Sequence, residues 1–147
     1  MRLAEYLEQN LVIADMKAAN KTEALAEMTA PLAALSVDTA RALDVLLERE
    51  GLGTTGIGDG IAIPHGKLPG LTRILVVAGR SLQGVDFEAL DFKPCHIFFM
   101  VLAPEQVAGQ HLRILAQISR LLKDETFRRN FLNARSAQAL WDLLKEV

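Results

Sequence analysis

Apolar residues recur along this chain in two rhythms, and the change from one to the other divides it into three parts. Near the start, Leu3, Tyr6 and Leu7 have the spacing of a short helix, and Leu11-Val12-Ile13 reads as a buried strand. Asn20 followed by Glu23 has the form of a capping box, which predicts a helix running through about Ala34. Asp38 is placed to cap a second helix, in which Ala40, Leu43, Leu46 and Leu47 recur at helical spacing until Gly51 ends it.

The middle of the chain reads differently. Ile61-Ala62-Ile63, Ile74 to Ala78 and Ile97 to Leu102 are short apolar runs of strand type, the last two apolar enough for burial on both faces. Beyond Pro104 the helical rhythm returns. Leu112, Leu115, Ile118 and Leu122 form one stripe and Phe127 with Phe131 another, and Ser136 is placed to cap a last helix carrying Leu140, Leu143 and Leu144. Strands enclosed by helices predict a layered α/β fold, with residues 1–147 as a single domain. Periodicity gives neither strand order nor direction.

Composition narrows the function classes. Half of the 147 residues are apolar and 23% are charged, a balance that supports a packed core without metal or disulfide staples. With 16 basic and 18 acidic side chains there is no broad cationic field, so neither nucleic acid nor an anionic membrane is an expected partner. The longest apolar run, Ile97 to Ala103, is far short of the ~20 residues that span a bilayer, and the opening segment lacks the apolar core of a secretory signal. A single cysteine, Cys95, excludes an internal disulfide and agrees with a reducing compartment, so a cytoplasmic address is expected.

The densest chemistry lies in Arg49 to Lys67, which reads REGLGTTGIGDGIAIPHGK. Seven of the ten glycines fall between Gly51 and Gly70, a concentration that is entropically costly and implies unusual backbone or close approach to a ligand. A P-loop is absent, and the G-x-G-x-x-G spacing of Gly51 to Gly56 follows a predicted helix rather than joining a strand to a helix, so it lacks the context of a dinucleotide fingerprint. Instead, His65 stands between Pro64 and Gly66. A neutral imidazole keeps a free lone pair near its ordinary pKa of ~6.5 and suits a nucleophile that forms a labile covalent intermediate. Were that group phosphoryl, Arg49 offers a two-pronged donor, Thr54 and Thr55 offer hydroxyls, and Gly66 and Lys67 offer amide and ammonium groups.

Other candidates are weaker. His111 opens the striped helix in GQHLRIL, where unpaired amides and the positive dipole end favour an anion. Asp59 between two glycines is expected to serve a turn. Cys95 and His96 precede an apolar strand and are expected in core or strand-edge roles. Pooling His65, His96 and His111 into a metal site has no local support, so neither metal nor cofactor is expected.

The sixteen-residue run LGTTGIGDGIAIPHGK closely resembles the phosphorylation-site signature of enzyme IIA of the bacterial phosphoenolpyruvate-dependent phosphotransferase system, fructose and mannitol class. The resemblance extends over nearly the full chain and is strongest to the nitrogen-regulatory enzyme IIA. It implies a central mixed sheet with helices on both sides. It further implies that His65 receives phosphate from a histidine-phosphocarrier protein, that His111 packs beside it, and that Arg49 braces the phosphoryl group. In the transport members the next acceptor is a cysteine of an enzyme IIB; the nitrogen type acts more often through regulatory target proteins. The expected activity is therefore that of a phosphotransferase, a phosphohistidine carrier with a regulatory output. Sugar transport through an enzyme IIB is the alternative, and a non-covalent anion-sensing module is the remote one.

Overall fold

The computed structural model describes residues 2–147. A short 3-10 turn at Leu3–Tyr6 and another at Gln9–Leu11 lead into β1 (Val12–Ile13). Two helices follow, α1 (Lys21–Thr29) and α2 (Thr39–Glu50), and then five strands: β2 (Gly56–Gly58), β3 (Ile61–Ala62), β4 (His65–Lys67), β5 (Leu75–Val85) and β6 (Cys95–Ala103). The chain closes with α3 (Ala108–Lys123), α4 (Glu125–Asn133) and α5 (Ala137–Leu144).

The helix starts follow the local chemistry. The side chains of Asn20, Asp38 and Ser136 accept hydrogen bonds from the amides of Glu23, Arg41 and Ala139, each satisfying a donor that the first turn leaves free. Glu23 completes its half of the capping box one residue further back, accepting the Ala19 amide at 2.9 Å. The expected helix through Ala34 is shorter than its apolar pattern: α1 stops at Thr29 and a 3-10 segment carries Ala30–Leu35. Pro31, at the start of that segment, has no amide hydrogen to continue the α-helical ladder.

The strands form one mixed sheet in the order β1-β5-β6-β3-β2, with β4 also paired to β6. β5 and β6 are antiparallel, whereas β1 runs parallel to β5 and both β3 and β4 run parallel to β6. Alternation along the central strands sends Leu75, Val77, Phe98, Met100 and Leu102 into a core against α1 and α2. Val76, Ala78, Ile97, Phe99, Val101 and Ala103 face the opposite core, built with α3, α4 and α5. Burial on both faces explains why these segments read as continuous apolar runs. The expected central mixed sheet with helices on both sides is the architecture found. Among the described residues, no helix is long and apolar enough to cross a membrane.

Two expectations need correction. β5 extends to Val85, well beyond Ala78, because Arg80 and Ser81 are buried and continue the strand. Arg80 earns its place by donating to the carbonyls of Ala14, Phe131 and Ala134, groups that a turn and a helix end leave unpaired. In α3 the buried stripe is His111, Ile114, Ile118 and Leu122, while Leu112 is 68% exposed. The expected stripe begins one residue too late because hydrophobicity alone points Leu112 inward, whereas His111 packs against the His65 ring and Leu112 faces out.

Candidate functional site

β3 and β4 lie beside β6 in a single register, Ile61 opposite Ile97 and His65 opposite Val101, with Pro64 between them. Proline has no amide hydrogen to offer the Phe99 carbonyl it faces, and the ladder is interrupted there, between β3 and β4. The amide of Val101 donates to the Pro64 carbonyl at 2.9 Å, so β4 takes up the register of β3 again directly after the proline. The shared register aims His65, like Val101, at the α3 face. Gly66 faces α2, where a Cβ would meet Val45 Cγ1 at 2.6 Å. Glycine at 66 is thus required by the closeness of helix to strand.

The His65 ring is half-buried, and its Nδ1 lies 2.9 Å from the Ile63 carbonyl. A carbonyl oxygen only accepts, so in the neutral ring Nδ1 carries the hydrogen and Nε2 keeps the lone pair. His111, in the first turn of α3, meets His65 edge to face, with ring centroids 5.9 Å apart and planes at 76°. Its own Nε2 is buried and has no hydrogen-bond partner among the described residues. Such a group ordinarily signals a ligand or water to be satisfied. Burial, and secondarily the positive charge available on His65 and Lys67, holds the His111 pKa below its ordinary value.

Around these rings the sequence-predicted residues assemble. A hollow of about 190 Å³ is lined by Arg49, Thr54, Thr55 and His65 together with Ile57, Ile63, Leu115 and Ser119. A second hollow shares Arg49 and His65 and adds Leu52, Gly66, Lys67 and His111. Arg49, in the last turn of α2, spends one guanidinium N–H on the Gly53 carbonyl at 2.9 Å. The two threonine hydroxyls are engaged within the protein: Thr54 donates to Phe87 O and accepts from the Gly56 amide, and Thr55 donates to Glu50.

The remaining candidates lie apart from this cluster. Asp59 adopts φ 56° between Gly58 and Gly60, forming the expected turn of the β2–β3 hairpin. His96 bonds through Nδ1 to the Ser81 carbonyl at 2.8 Å, at the start of β6. Cys95 is buried, and its thiol is pushed up to about 11, chiefly by burial and then by Asp91, so it is unreactive at neutral pH. No cluster of His, Cys, Asp and Glu placed to hold a metal occurs among the described residues.

One residue of the neighbourhood escaped sequence reasoning. Glu50 is 7% exposed and binds Lys21 at 3.0 Å and the Thr55 amide at 3.0 Å. It reads as part of the charge run Glu48-Arg49-Glu50, yet it follows Ala42 and Leu46 at four-residue spacing on the buried stripe of α2. That spacing was the signal available.

Residues 5–147 match the family model described as phosphoenolpyruvate-dependent sugar phosphotransferase system, EIIA 2. The chain belongs to this family. This enzyme IIA is 39% identical over 145 residues to a nitrogen regulatory protein of Bradyrhizobium diazoefficiens, covering 98% of this chain and 95% of that one. It is 45% identical over 119 residues to a fructose-specific EIIA component of Haloferax volcanii, covering 77% of each. Among solved structures, the nitrogen regulatory protein IIA-Ntr of Neisseria meningitidis superposes with a TM-score of 0.89 at 30% identity, covering 97% of this chain and 98% of that one. The enzyme IIA family is a phosphotransfer component, and a phosphoryl-carrying role follows for this chain.

Proposed function

We propose that residues 1–147 act as one phosphocarrier unit in which His65 Nε2 accepts a phosphoryl group from a histidine-phosphocarrier protein. The observation that carries this reading is the Ile63 carbonyl on Nδ1, which leaves the Nε2 lone pair for attack. The lone pair forms the new N–P bond as the donor's N–P bond breaks, and the donor imidazole keeps the departing electron pair. Positive charge that develops on the His65 ring is shared with the Ile63 carbonyl. His111 donates from its unpaired Nε2 to a phosphoryl oxygen, and Arg49 and Lys67 supply positive charge where negative charge gathers. The Thr55 amide and hydroxyl, held by Glu50, and the Gly66 amide, paired in the β4–β6 ladder, serve the wall of the site and not the phosphoryl oxygens. No cofactor takes part.

The output is regulatory: target proteins read the phosphorylation state of a face on which Leu52 is 84% exposed and Leu112, beside His111, is 68% exposed. Likeness to nitrogen regulatory proteins over almost the whole length supports this. A cytoplasmic address accompanies the reading. The second reading, sugar transport with a cysteine of an enzyme IIB as acceptor, is favoured by the fructose-specific relative.

The test is incubation with phosphoenolpyruvate and the general phosphotransferase proteins, followed by intact-mass analysis. The wild type is expected to gain one acid-labile group of about 80 Da and His65→Ala none. Labelling that survives His65→Ala removes the proposal.

A further inference from the structure

The tautomer of His65 depends on its bond to Ile63, and that bond is the last of a continuous series. Lys21 Nζ, at the start of α1, lies 3.0 Å from Glu50 Oε1, with side-chain exposures of 12% and 3%. Glu50, at the end of α2, accepts the Thr55 amide at 3.0 Å and the Thr55 hydroxyl as well. The Thr55 carbonyl accepts the Ile63 amide at 3.0 Å, and the Ile63 carbonyl accepts His65 Nδ1–H at 2.9 Å. Each bond fixes the peptide plane or side chain that makes the next.

A carboxylate on a buried helix stripe is costly unless it is paired, and a leucine there would fill the space without that cost. Lys21 supplies the pairing, and it is itself held 5.0 Å above the Phe87 ring. What the buried pair provides is the placement of Thr55, the residue that joins the glycine-rich segment to the strand bearing the nucleophile.

We propose that Glu50, neutralised by Lys21 and acting through Thr55 and Ile63, is a positioning residue that sets the tautomer and orientation of His65. The proposal rests on His65 as the phosphoryl acceptor, and it gives the Thr55 hydroxyl a supporting task rather than contact with phosphate. Orienting partners of this kind are worth roughly tenfold to a hundredfold where they hold the reactive form of a histidine.

The experiment reads the ring nitrogens directly. In protein labelled with 15N, at a pH about two units above the ordinary imidazole value of ~6.5, the wild type is expected to show His65 Nδ1 protonated and Nε2 free. In Thr55→Val, which removes the hydroxyl at nearly constant volume, and in Glu50→Gln, the two tautomers are expected to mix. The rate constant of phosphorylation falls roughly tenfold or more in both, with half-saturation by the donor protein little changed, and Thr55→Ser restores tautomer and rate. A wild-type ring protonated at Nε2 overturns the proposal without any variant. So does a folded Thr55→Val that keeps the native tautomer and rate. A wild type that takes no phosphate defeats the carrier reading, while its tautomer compared with that of Thr55→Val still decides whether the series of bonds controls His65.

Discussion

Burial of the His111 ring holds its pKa down, and the direction fixes how stability depends on pH. The unfolded chain binds a proton on this residue near the ordinary value of ~6.5, while the folded chain resists protonation until lower pH. The contribution of His111 to stability is therefore complete above pH ~6.5 and is lost as pH falls through the unfolded value toward the folded one. Denaturant midpoints measured across that range are expected to decline more steeply for the wild type than for His111→Asn; equal slopes would contradict the account. Its buried Nε2 has no hydrogen-bond partner among the described residues and is the group proposed to donate to the phosphoryl oxygen. Removing this one donor in His111→Ala is expected to slow phosphorylation of His65 by roughly a hundredfold or more in a stopped assay with excess donor protein. At this scale the sequence was informative wherever a side chain carried distinctive chemistry: His65, His111 and Arg49, which the family resemblance groups together, line two adjoining hollows. Glu50 was hidden because a buried acid and a solvated one look alike until the helix face is known.

Helix α2 and strand β4 approach so closely that Gly66 leaves no room for a methyl group. Val45 is β-branched and stiff about χ1, so it yields poorly. Gly66→Ala is expected to destabilise the fold by about 1–3 kcal/mol in chemical denaturation, and pairing it with Val45→Ala should recover much of the loss. Destabilisation unaffected by the Val45 change would mean that the contact is not the cause. Helix starts were legible in the sequence because a cap is a local event, settled by a polar side chain and an amide two or three residues away. β2 and β4 were not, since each is three residues long and exists through its pairing with a distant or adjoining strand. Short strands carry too little periodicity to reveal a partner supplied by the rest of the fold.

The sheet keeps its two helical layers apart almost everywhere, yet residues of both meet at His65. Arg49 comes from α2 on one face and His111 from α3 on the other, and β4, at the border of the sheet beside β6, is where the two reach one ring. A phosphoryl group there adds about −1.5 to −2 charges to a rim bearing the exposed Leu52 and Ile57. Affinity for a regulatory target is accordingly expected to differ about fivefold to a hundredfold between the phosphorylated and unphosphorylated forms in calorimetry, and identical affinities would contradict a regulatory output. The layered class was readable from the chain, whereas the convergence of the layers needed strand order, which periodicity does not encode. The claim on which all of this turns is that His65 carries phosphate on Nε2. Heteronuclear 31P–15N spectra of the phosphorylated protein test it most directly. The account predicts coupling of the phosphorus to Nε2 of His65 with Nδ1 still protonated; phosphorus on Nδ1, or on any other residue, would contradict it.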